Sequence, residues 1–384
     1  MRVMRVLTRP NVGGPTMQAV ALWHEQRKLG VKTVLAVGRC LPDETAVDLA
    51  ANGIPQLHGE ALDADCEGFV VVESLGNRRS WLAQRRATAE LMALMRRVKP
   101  CVVHTHTSAA GHAGRRAAMA CDIAKTVHTF HGIVLRDYFG RLLSWALLRL
   151  EARLARQTAA LVAVSPSCRD ELASLGVAAA SRIRVVPPAV PMPTRLSRHE
   201  ARRRLGLPQD AFVVCAYGRL VPIKRPELFL ESLGRMPDAL GRLHGDGPQR
   251  KWLSAKAPAN CVILPAHPDA RACMSAYDAL VLPSRREGLP LVAVEAFAAG
   301  VPVVGFDVPG IRDALSTWGN GLLVPEREGV EGIVAALHRL RVEPGLGSEL
   351  CRRAAAGLGR FEPKAVAAEL FDLYRSLPRG RGHT

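Results

Sequence analysis

The architecture is most visible in one segment, Ala279-Leu280-Val281-Leu282-Pro283-Ser284-Arg285-Arg286-Glu287-Gly288-Leu289-Pro290-Leu291-Val292-Ala293-Val294-Glu295-Ala296-Phe297-Ala298-Ala299-Gly300. Its apolar start predicts a buried parallel strand. Pro290 suits the first position of a helix, and Gly300 with Pro302 behind it predicts where that helix ends. Glu287 therefore lies in the loop at the carboxyl end of a strand, and Glu295 lies inside the helix that follows.

This edge of a parallel sheet is a common place for a ligand. In open α/β sheets, ligands bind outside the carboxyl ends of the strands. The start of a helix adds backbone N–H groups and the positive end of a dipole, which suit a phosphate. The same residues also fit a surface loop with an acidic first turn, because carboxylates are favoured there for structural reasons alone. The segment by itself leaves both interpretations open.

Composition restricts the class of protein. A chain of 384 residues predicts two to three domains, and a hydrophobic fraction of 48% is ample for packed cores. The 52 Lys and Arg residues against 35 Asp and Glu give a net charge of +17, which indicates a polyanionic partner such as nucleic acid, an anionic membrane or a phosphorylated ligand. The nine cysteines form no C-x-x-C pair and fit a reducing cytoplasm. No signal peptide or membrane-spanning run is predicted.

Strands and helices alternate in two series. The first series predicts strands at Arg2–Leu7, Val31–Val37, Phe69–Val72, Cys101–Val103, Lys125–Thr129, Ala160–Val164 and Ile183–Val186. The second predicts strands at Phe212–Tyr217, Leu240–His244, Val262–Leu264, Ala279–Leu282 and Val301–Gly305. Such alternation is typical of doubly wound parallel sheets. The proline-rich run Pro187–Pro193 is the candidate linker.

The predicted fold class is therefore α/β, with two Rossmann-like doubly wound domains facing each other across a cleft. Residues 1–190 form the first predicted domain and residues 191–362 form the second. A helix at Pro363–Ser376 lies beyond them. Residues 363–384 are expected to pack back on the first domain.

Two cations follow the strand at Phe212–Tyr217. Arg219 comes directly after Gly218, and Lys224 stands five residues further on. At the carboxyl end of a strand the pair suits a diphosphate, because arginine offers bidentate hydrogen bonds and lysine a point charge. The next strand ends in a second glycine-rich turn, Gly245-Asp246-Gly247-Pro248. Each of these signals is weak alone.

In this order, the motifs resemble those of the retaining family 4 glycosyltransferases, which have the GT-B fold. The matching residues in the second half are Gly218-Arg219 with Lys224, Gly245 to Pro248, Glu287 and Glu295 with seven residues between them, and Asn320-Gly321-Leu322-Leu323-Val324-Pro325. Those in the first half are Gly13-Gly14, the segment His104-Thr105-His106-Thr107-Ser108, and Thr129-Phe130-His131-Gly132. The His-Thr-His segment is similar to that of members acting on cell-surface polysaccharide precursors.

The resemblance implies a hexosyltransferase that moves a sugar from a nucleotide-sugar with retention of configuration and with no metal or other cofactor. Uridine is the family's common base. Arg219 and Lys224 would bind the diphosphate, Glu287 would hold hydroxyls of the donor sugar, and Glu295 would hold those of the ribose. His131 would bracket the sugar from the opposite domain, and His104 or His106 would meet the acceptor. The implied catalytic residues are Arg219, Lys224, Glu287 and His131, and Gly14, Gly218, Gly245, Gly288, Leu289 and Leu291 join the donor site.

Three positions depart from the family pattern. Arg225 stands where a glycine commonly follows the lysine, Pro187-Pro188-Ala189-Val190 replaces a Pro-Asn-Gly-Val turn, and Val308-Pro309-Gly310 replaces a Gly-Gly turn. These departures make it harder to infer the identity of the donor sugar from the family. A rival hypothesis for the histidines is a metal site, with His104 and His106 joined by His128 or His131, although no carboxylate or cysteine completes it.

The basic residues concentrate in two places in the first half. One comprises Arg78, Arg79, Arg85, Arg86, Arg96, Arg97 and Lys99, and the other is the predicted helix near Tyr138–Gln157. In that helix Leu143, Leu147, Leu150 and Leu154 share one face, and Arg149, Arg153 and Arg156 share another. The helix fits either an ordinary core helix with a solvated face or one that lies on an anionic membrane.

These observations predict a cytoplasmic enzyme, peripheral on the inner face of the plasma membrane. Its expected partners are a nucleotide-sugar, a lipid-linked or surface-glycan acceptor such as a lipopolysaccharide precursor, and an anionic membrane surface. One alternative is a sugar-nucleotide epimerase with the same fold. Another is a basic nucleic-acid-binding protein, but an aromatic content of 5% leaves few side chains for base stacking, so no nucleic-acid partner is expected.

Overall fold

The computed structural model describes residues 1–41, 44–59, 62–76, 81–132, 140–192, 196–265, 269–316 and 319–378. They form two compact units. Unit 1 comprises residues 1–191 together with the C-terminal segment from Pro363, and unit 2 comprises Met192–Glu362.

Unit 1 is built on a seven-stranded parallel sheet in the order β3-β2-β1-β4-β5-β6-β7. Its elements are β1 (Arg2–Leu7), α1 (Gly14–Lys28), β2 (Lys32–Val37), β3 (Gly68–Val71), α2 (Trp81–Val98), β4 (Val102–His106), α3 (Ser108–Ala120), β5 (Thr126–Phe130), α4 (Arg141–Gln157), β6 (Ala160–Ala163), α5 (Pro166–Ser174) and β7 (Ile183–Val185).

Unit 2 is built on a six-stranded parallel sheet in the order β10-β9-β8-β11-β12-β13. Its elements are α6 (Arg198–Arg204), β8 (Phe212–Tyr217), α7 (Pro226–Gly234), β9 (Ala239–His244), α8 (Arg250–Lys256), β10 (Cys261–Leu264), α9 (Asp269–Ala272), β11 (Ala279–Leu282), α10 (Leu291–Ala298), β12 (Val303–Phe306), α11 (Ile311–Ser316), β13 (Leu322–Val324), α12 (Gly329–Val342) and α13 (Leu346–Ala355). The last helix, α14 (Pro363–Ser376), belongs to unit 1.

Both sheets are covered by helices on their two faces, which explains why their strands are apolar throughout. In unit 1, Met4 and Val6 of β1 pack with helices α2 and α3 on one face. Val3 packs with α1 and α14 on the other, because successive strand residues point to opposite faces. The prediction of two Rossmann-like parallel-sheet domains is confirmed.

The strand order places a crevice in each sheet. It reverses between β1 and β4 in unit 1 and between β8 and β11 in unit 2. The loops after these neighbouring strands leave in opposite directions, so they open a space at the carboxyl edge where α/β proteins bind ligands. The glycine loop before Gly14 follows β1, and the segment of Glu287 follows β11.

Helix α14 completes the core of unit 1. Val366, Leu370 and Tyr374 are almost fully buried and pack in one cluster with residues of β1 and α1. The proline-rich segment reaches the same cluster through Ala189, which has no exposed surface. The predicted linker therefore begins inside the core of unit 1, and its last residue, Pro193, lies outside the described residues.

Several strands are shifted by one or two residues from the sequence prediction, and two differ more. Strand β4 ends at His106 and not at Val103, so it carries both histidines inside the sheet. Strand β13 was not predicted, since three residues give too short an apolar pattern. Within the described part of the chain, no helix is both long enough and apolar enough to cross a bilayer.

Candidate active site

In unit 2, the loops after β8 and β9 are bound to each other through their main chains. The Gly218 amide donates to the His244 carbonyl at 3.0 Å, and the Leu220 amide donates to the Asp246 carbonyl at 2.9 Å. A Cβ atom at Gly245 would stand 1.9 Å from the Gly218 carbonyl oxygen. This close approach explains why a glycine is needed there, and it fixes the loop that carries Arg219 and Lys224.

An ion pair joins the loops after β8 and β11. Lys224 Nζ donates to Glu287 Oε1 at 2.5 Å, and Ser284 Oγ donates to the same oxygen at 2.7 Å. The main chains are linked as well, because the Arg285 amide donates to the Ile223 carbonyl at 2.9 Å. The side chains of Lys224 and Glu287 are 26% and 11% exposed. A cation and a carboxylate that are 63 positions apart in sequence thus meet at the β8/β11 crevice.

The turn at Pro309–Gly310 supports Glu287 from behind. The Glu287 amide donates to the Pro309 carbonyl at 3.4 Å. Gly310 has a φ of +81°, and a Cβ atom there would stand 2.3 Å from the Glu287 carbonyl oxygen. This departure from the family pattern therefore contacts the main chain of a predicted catalytic residue.

Glu295 occupies a different environment from Glu287. It lies on the buried side of α10, is 3% exposed, and pairs with Arg271 of α9 at 3.3 Å. Burial raises the pKa of its carboxyl group, and Arg271 partly opposes that shift. The contacts of the described residues do not link Glu295 to Glu287, Arg219 or Lys224. Arg271 was not predicted, because no motif or regular spacing connects it to Glu295.

The other predicted donor-site residues surround the ion pair. Arg219 is exposed, and no ion pair holds its guanidinium among the described residues. Gly288 is buried, and Leu289 and Leu291 lie at the start of α10. Pro290 is the cap of this helix, and Leu291 is its first helical residue. The Ala293 amide donates to the Pro290 carbonyl at 3.1 Å, whereas the amides of Leu291 and Val292 precede the regular hydrogen bonds of the helix.

Arg225 was noted only as a departure, but the structure gives it a role. Its φ of +47° is left-handed, a conformation that costs a residue other than glycine about 1–2 kcal/mol. Its Nη2 donates to Glu326 Oε1 at 2.7 Å, and its guanidinium lies 5.1 Å from the centre of the Phe306 ring. Arg225 therefore ties the loop of Lys224 to the segment that follows β13.

In unit 1, His104 and His106 lie inside the sheet. Each is 0% exposed. His104 bonds through Nδ1 to the Tyr374 hydroxyl at 2.6 Å and through Nε2 to the Thr129 hydroxyl at 2.7 Å. The sequence prediction that they meet the acceptor directly is not supported, because neither ring reaches the surface.

His131 is the exposed end of this histidine group. It follows β5 and is half-buried, and its Nε2 lies 2.9 Å from Nδ1 of His106. His106 Nε2 in turn lies 3.3 Å from Nη1 of Arg5, a fully buried arginine in β1. Sequence analysis missed Arg5, although a charged residue in the middle of an apolar strand is itself a signal.

The strand register separates His128 from the other candidate metal ligands. Because His128 pairs with Thr105 and not with either histidine of β4, its ring lies on the opposite face of the sheet. There it bonds to the Thr105 hydroxyl at 2.8 Å. The described residues contain no group of three His, Cys, Asp or Glu side chains placed to hold a metal ion.

Burial keeps these rings neutral. It lowers the pKa of His104, His106 and His128 well below the usual value, with nearby cationic groups adding to the shift. Burial and then Arg5 lower the pKa of His131 to about 4. At neutral pH each ring therefore has one nitrogen that donates and one that accepts.

The remaining predicted residue, Gly14, begins α1 at the same carboxyl edge. Nearby, the hydroxyl groups of Thr8 and Thr107 lie 2.6 Å apart and join the end of β1 to the start of α3. The candidate site of unit 1 thus consists of the loops after β1, β4 and β5.

Comparison with known proteins places both units in one family. Residues 12–192 match the model for Glycosyltransferase Family 4, and residues 197–355 match the model for Glycosyl transferases group 1. D-inositol 3-phosphate glycosyltransferase of Streptosporangium roseum is 30% identical over 299 residues, covering 71% of this chain and 68% of the relative. UDP-Gal:alpha-D-GlcNAc-diphosphoundecaprenol alpha-1,3-galactosyltransferase of Escherichia coli is 26% identical over 309 residues, covering 76% and 79%.

A solved structure agrees with the fold. The HepE protein of Anabaena, crystallised with UDP and glucose, superposes with a TM-score of 0.80 at 17% identity, covering 98% of this chain and 100% of that one. Together with the arrangement of Lys224 and Glu287, these matches show that the chain belongs to the family 4 glycosyltransferases with the GT-B fold. It is a glycosyltransferase.

The support behind Glu287 leads to a first prediction. Gly310→Ala should lower the transition temperature and the transfer activity together, because the new methyl group forces the Glu287 main chain to move. The matched control is Gly206→Ala, at a φ of +64° with no atom within 4 Å of the new Cβ. Calorimetry and initial rates on both variants provide the measurement. Equal effects of the two substitutions would contradict a specific role for the Pro309–Gly310 turn.

The neutral histidines lead to a second prediction. Because the pKa of His131 is about 4 in the folded chain and ordinarily 6.5, the unfolded chain binds more protons between these values. The free energy of unfolding should therefore fall as the pH drops from about 6.5 to about 5, by about 1.4 kcal/mol per pH unit for each such histidine. Urea unfolding followed by circular dichroism measures it. The slope should be smaller in His104→Gln, and a free energy independent of pH over this interval would refute the prediction.

Proposed function

We propose that the protein transfers a hexose from a UDP-sugar to a lipid-linked or surface-glycan acceptor, with retention of configuration and without a metal ion. The observation that carries the proposal is the contact of Lys224 with Glu287 at the β8/β11 crevice, 2.5 Å between Nζ and Oε1. It combines the charges that a nucleotide-sugar needs, a cation for the diphosphate and a carboxylate for the sugar hydroxyls, at the edge where such sheets bind ligands.

Charge stabilisation of the leaving group is the first task of this site. As the bond from the sugar to the diphosphate breaks, negative charge grows on the leaving phosphate oxygen. Lys224 is held in place by Glu287, whereas Arg219 is exposed and able to close onto the diphosphate. The N–H groups at the start of α10 add donors. These fixed donors and charges would supply the stabilisation for which other transferases use a metal ion.

Hydroxyl recognition is the second task. An ionised carboxylate has two oxygens and about four lone-pair sites, so Glu287 can keep Lys224 and Ser284 and still accept from a sugar hydroxyl. Glu295 can likewise keep Arg271 on one oxygen and accept from ribose hydroxyls on the other. We therefore infer that the two glutamates bind the donor and do not form an acid and base pair.

The comparisons support the choice of donor and acceptor. The Anabaena structure holds UDP and glucose, and the Escherichia coli relative is named for UDP-Gal and for a diphosphoundecaprenol acceptor. The Streptosporangium roseum relative is named for a small acceptor, inositol 3-phosphate. A lipid-linked acceptor is favoured here by the surface of unit 1.

That surface is basic and carries exposed apolar side chains. At the start of α4, Leu142 is 86% exposed and Trp145 is 59% exposed, and the Arg149 guanidinium lies 5.1 Å from the Trp145 ring centre. At the start of α2, Trp81 is 61% exposed and lies 5.0 Å from the guanidinium of Arg85. Arg78, Arg79 and Tyr138, which belonged to the predicted basic regions, lie outside the described residues.

Both helix starts are on the same side of unit 1. Helices α2 and α4 each pack against α3 and each follow a strand, so both begin at the carboxyl edge of a parallel sheet. The second half of α4 is anchored in the core by Leu154 and by the buried pair of Glu151 with Arg115 at 2.7 Å. The core interpretation of α4 therefore applies to the buried face of its second half. We infer that its exposed face, from the start of the helix to Arg156, rests on an anionic membrane at the cytoplasmic face.

A third prediction tests the donor site. Lys224→Ala and Glu287→Gln should each lower kcat/KM by about 100- to 1000-fold, as removal of one preorganised group does in other enzymes. Arg235→Ala removes an exposed cation that pairs with Glu331 on the surface of unit 2 and serves as the control. Near-normal turnover in a folded Lys224→Ala variant would overturn the assignment.

Assays on the unchanged protein test the donor nucleotide, the need for a metal ion and the stereochemistry of transfer. UDP-sugars should raise the transition temperature by several degrees at about 100 times the dissociation constant, and GDP-sugars should not. Transfer to an N-acetylglucosaminyl diphosphate carrying a short polyprenyl chain should persist in EDTA. NMR of the product should show the donor's anomeric configuration. Inversion, or loss of activity in EDTA that metal restores, would refute the corresponding part of the proposal.

A fourth prediction tests the membrane surface. Arg149, Arg153 and Arg156 are exposed on α4, and replacing all three by glutamate should weaken binding to vesicles that contain phosphatidylglycerol by about 100-fold or more. The expected value follows from about 1 kcal/mol for each basic side chain near an anionic surface. Flotation of the vesicles measures the bound fraction.

A control of equal charge separates contact from net charge. Arg203, Arg327 and Arg341 are exposed on unit 2, and their replacement by glutamate changes the net charge by the same amount. This variant should float with the vesicles nearly as well as the unchanged protein. Equal losses in the two triple variants would show that only the overall charge matters, and unchanged flotation of the α4 variant would refute the membrane contact.

A further inference from the structure

The buried arginine of unit 1 has neutral partners. Arg5 is 0% exposed, and its Nη2 donates to Gln26 Oε1 at 2.8 Å and to the Tyr374 hydroxyl at 3.3 Å. Its Nη1 lies 3.3 Å from Nε2 of His106. The contacts of the described residues pair no carboxylate with Arg5. A guanidinium has five N–H donors and no acceptor, and it stays protonated in proteins.

This chemistry sets the direction of each hydrogen bond that follows. Because Arg5 can only donate, Nε2 of His106 must accept and carries no proton. The proton of the neutral His106 ring is therefore on Nδ1, which donates to Nε2 of His131 at 2.9 Å. Nε2 of His131 must then accept, so the proton of that ring is on Nδ1.

We propose that Arg5 fixes the tautomer of His131 through His106, so that His131 presents Nδ1–H as a permanent hydrogen-bond donor to an oxygen of the sugar substrate. Arg5 is a positioning residue, and His131 is the group that contacts substrate. The described residues offer no acceptor to Nδ1 of His131. This inference rests on the proposed glycosyl transfer for its substrate, but its account of the tautomer does not.

The proposal restricts what His131 does. With Nδ1 protonated and Nε2 occupied by His106, the ring has no lone pair left for a substrate proton, so it does not act as a general base. It instead favours an acceptor, such as a hydroxyl, ring or carboxylate oxygen. Because Arg5 stays protonated, His131 keeps Nδ1–H as a donor throughout turnover.

The first test observes the tautomer directly. Nitrogen-15 NMR of the histidine rings in the full chain separates protonated from unprotonated nitrogens, and a His131→Gln spectrum assigns the signals of His131. We expect Nδ1 of His131 to be protonated and Nε2 unprotonated at neutral pH. A ring protonated at Nε2 in the unchanged protein would overturn the proposal without any variant.

Variants of Arg5 and Tyr374 then identify the cause. Arg5→Lys keeps a donor and should keep the tautomer, whereas Arg5→Met should leave His131 as a mixture of two tautomers. Tyr374→Phe removes another partner of the same guanidinium and should leave the tautomer in place. If Arg5→Met does not fold, the comparison of Arg5→Lys with Tyr374→Phe remains. If His131 were a mixture of two tautomers in Tyr374→Phe but a single tautomer in Arg5→Lys, the role of Arg5 in fixing the tautomer would be overturned.

A matched pair at His131 tests the contact with substrate. Asparagine places an N–H close to the position of Nδ1, and aspartate places an oxygen there. We expect kcat/KM to fall about tenfold in His131→Asn and about 1000-fold in His131→Asp, since only the second removes the donor and brings two acceptors together. Equal losses would overturn the donor role. If the unchanged protein transfers no sugar, the proposed function fails, and the tautomer measurement still decides the role of Arg5.

Discussion

The candidate donor site depends on the reversal of strand order in a parallel sheet. Because β8 and β11 are neighbours, the loops that follow them meet, and Lys224 and Glu287 compensate each other's partial burial. Removing either partner would leave a charge withdrawn from water without its counter-charge, which costs more than the pair contributes. The candidate site is therefore balanced in charge by itself, and in the proposed function an incoming diphosphate would meet a lysine whose position is already set.

Unit 1 also holds a charge withdrawn from water where its strand order reverses, but the partners of that charge are neutral groups. Its reversal lies between β1 and β4, and there the sheet interior holds one guanidinium surrounded by amide, hydroxyl and imidazole groups. Such a group is costly to bury unless its donors are satisfied, so the ring nitrogens and oxygens around it have little freedom in how they hydrogen-bond. The candidate site of unit 2 is thus built on paired charges, and that of unit 1 on hydrogen bonds whose directions follow from the buried guanidinium.

Much of the fold could be predicted from the sequence because its signals are local. The strands Phe212–Tyr217 and Ala279–Leu282 and the helix Pro363–Ser376 have the predicted bounds, since each is a regular run with clear stops. The position of Lys224 and of Glu287 at the carboxyl ends of strands was predicted, because each follows a clear apolar run, whereas the ion pair between them was not. Arg5 with Tyr374 and Glu295 with Arg271 could not be predicted, because the first pair is 369 positions apart and the second has no motif. The end of β4 was predicted at Val103 and not at His106, because the polar side chains of His104 and His106 interrupt the apolar pattern.

The position of α14 affects how the chain reaches its folded state. This helix is the last described element in sequence, yet Val366, Leu370 and Tyr374 fill the core beneath β1, the first. A chain made from its N-terminus therefore completes unit 2 while unit 1 still lacks one wall. Until the final helix is released from the ribosome, the apolar face around Val3 and the guanidinium of Arg5 lack their cover. Unit 1 is thus synthesised first and finished last.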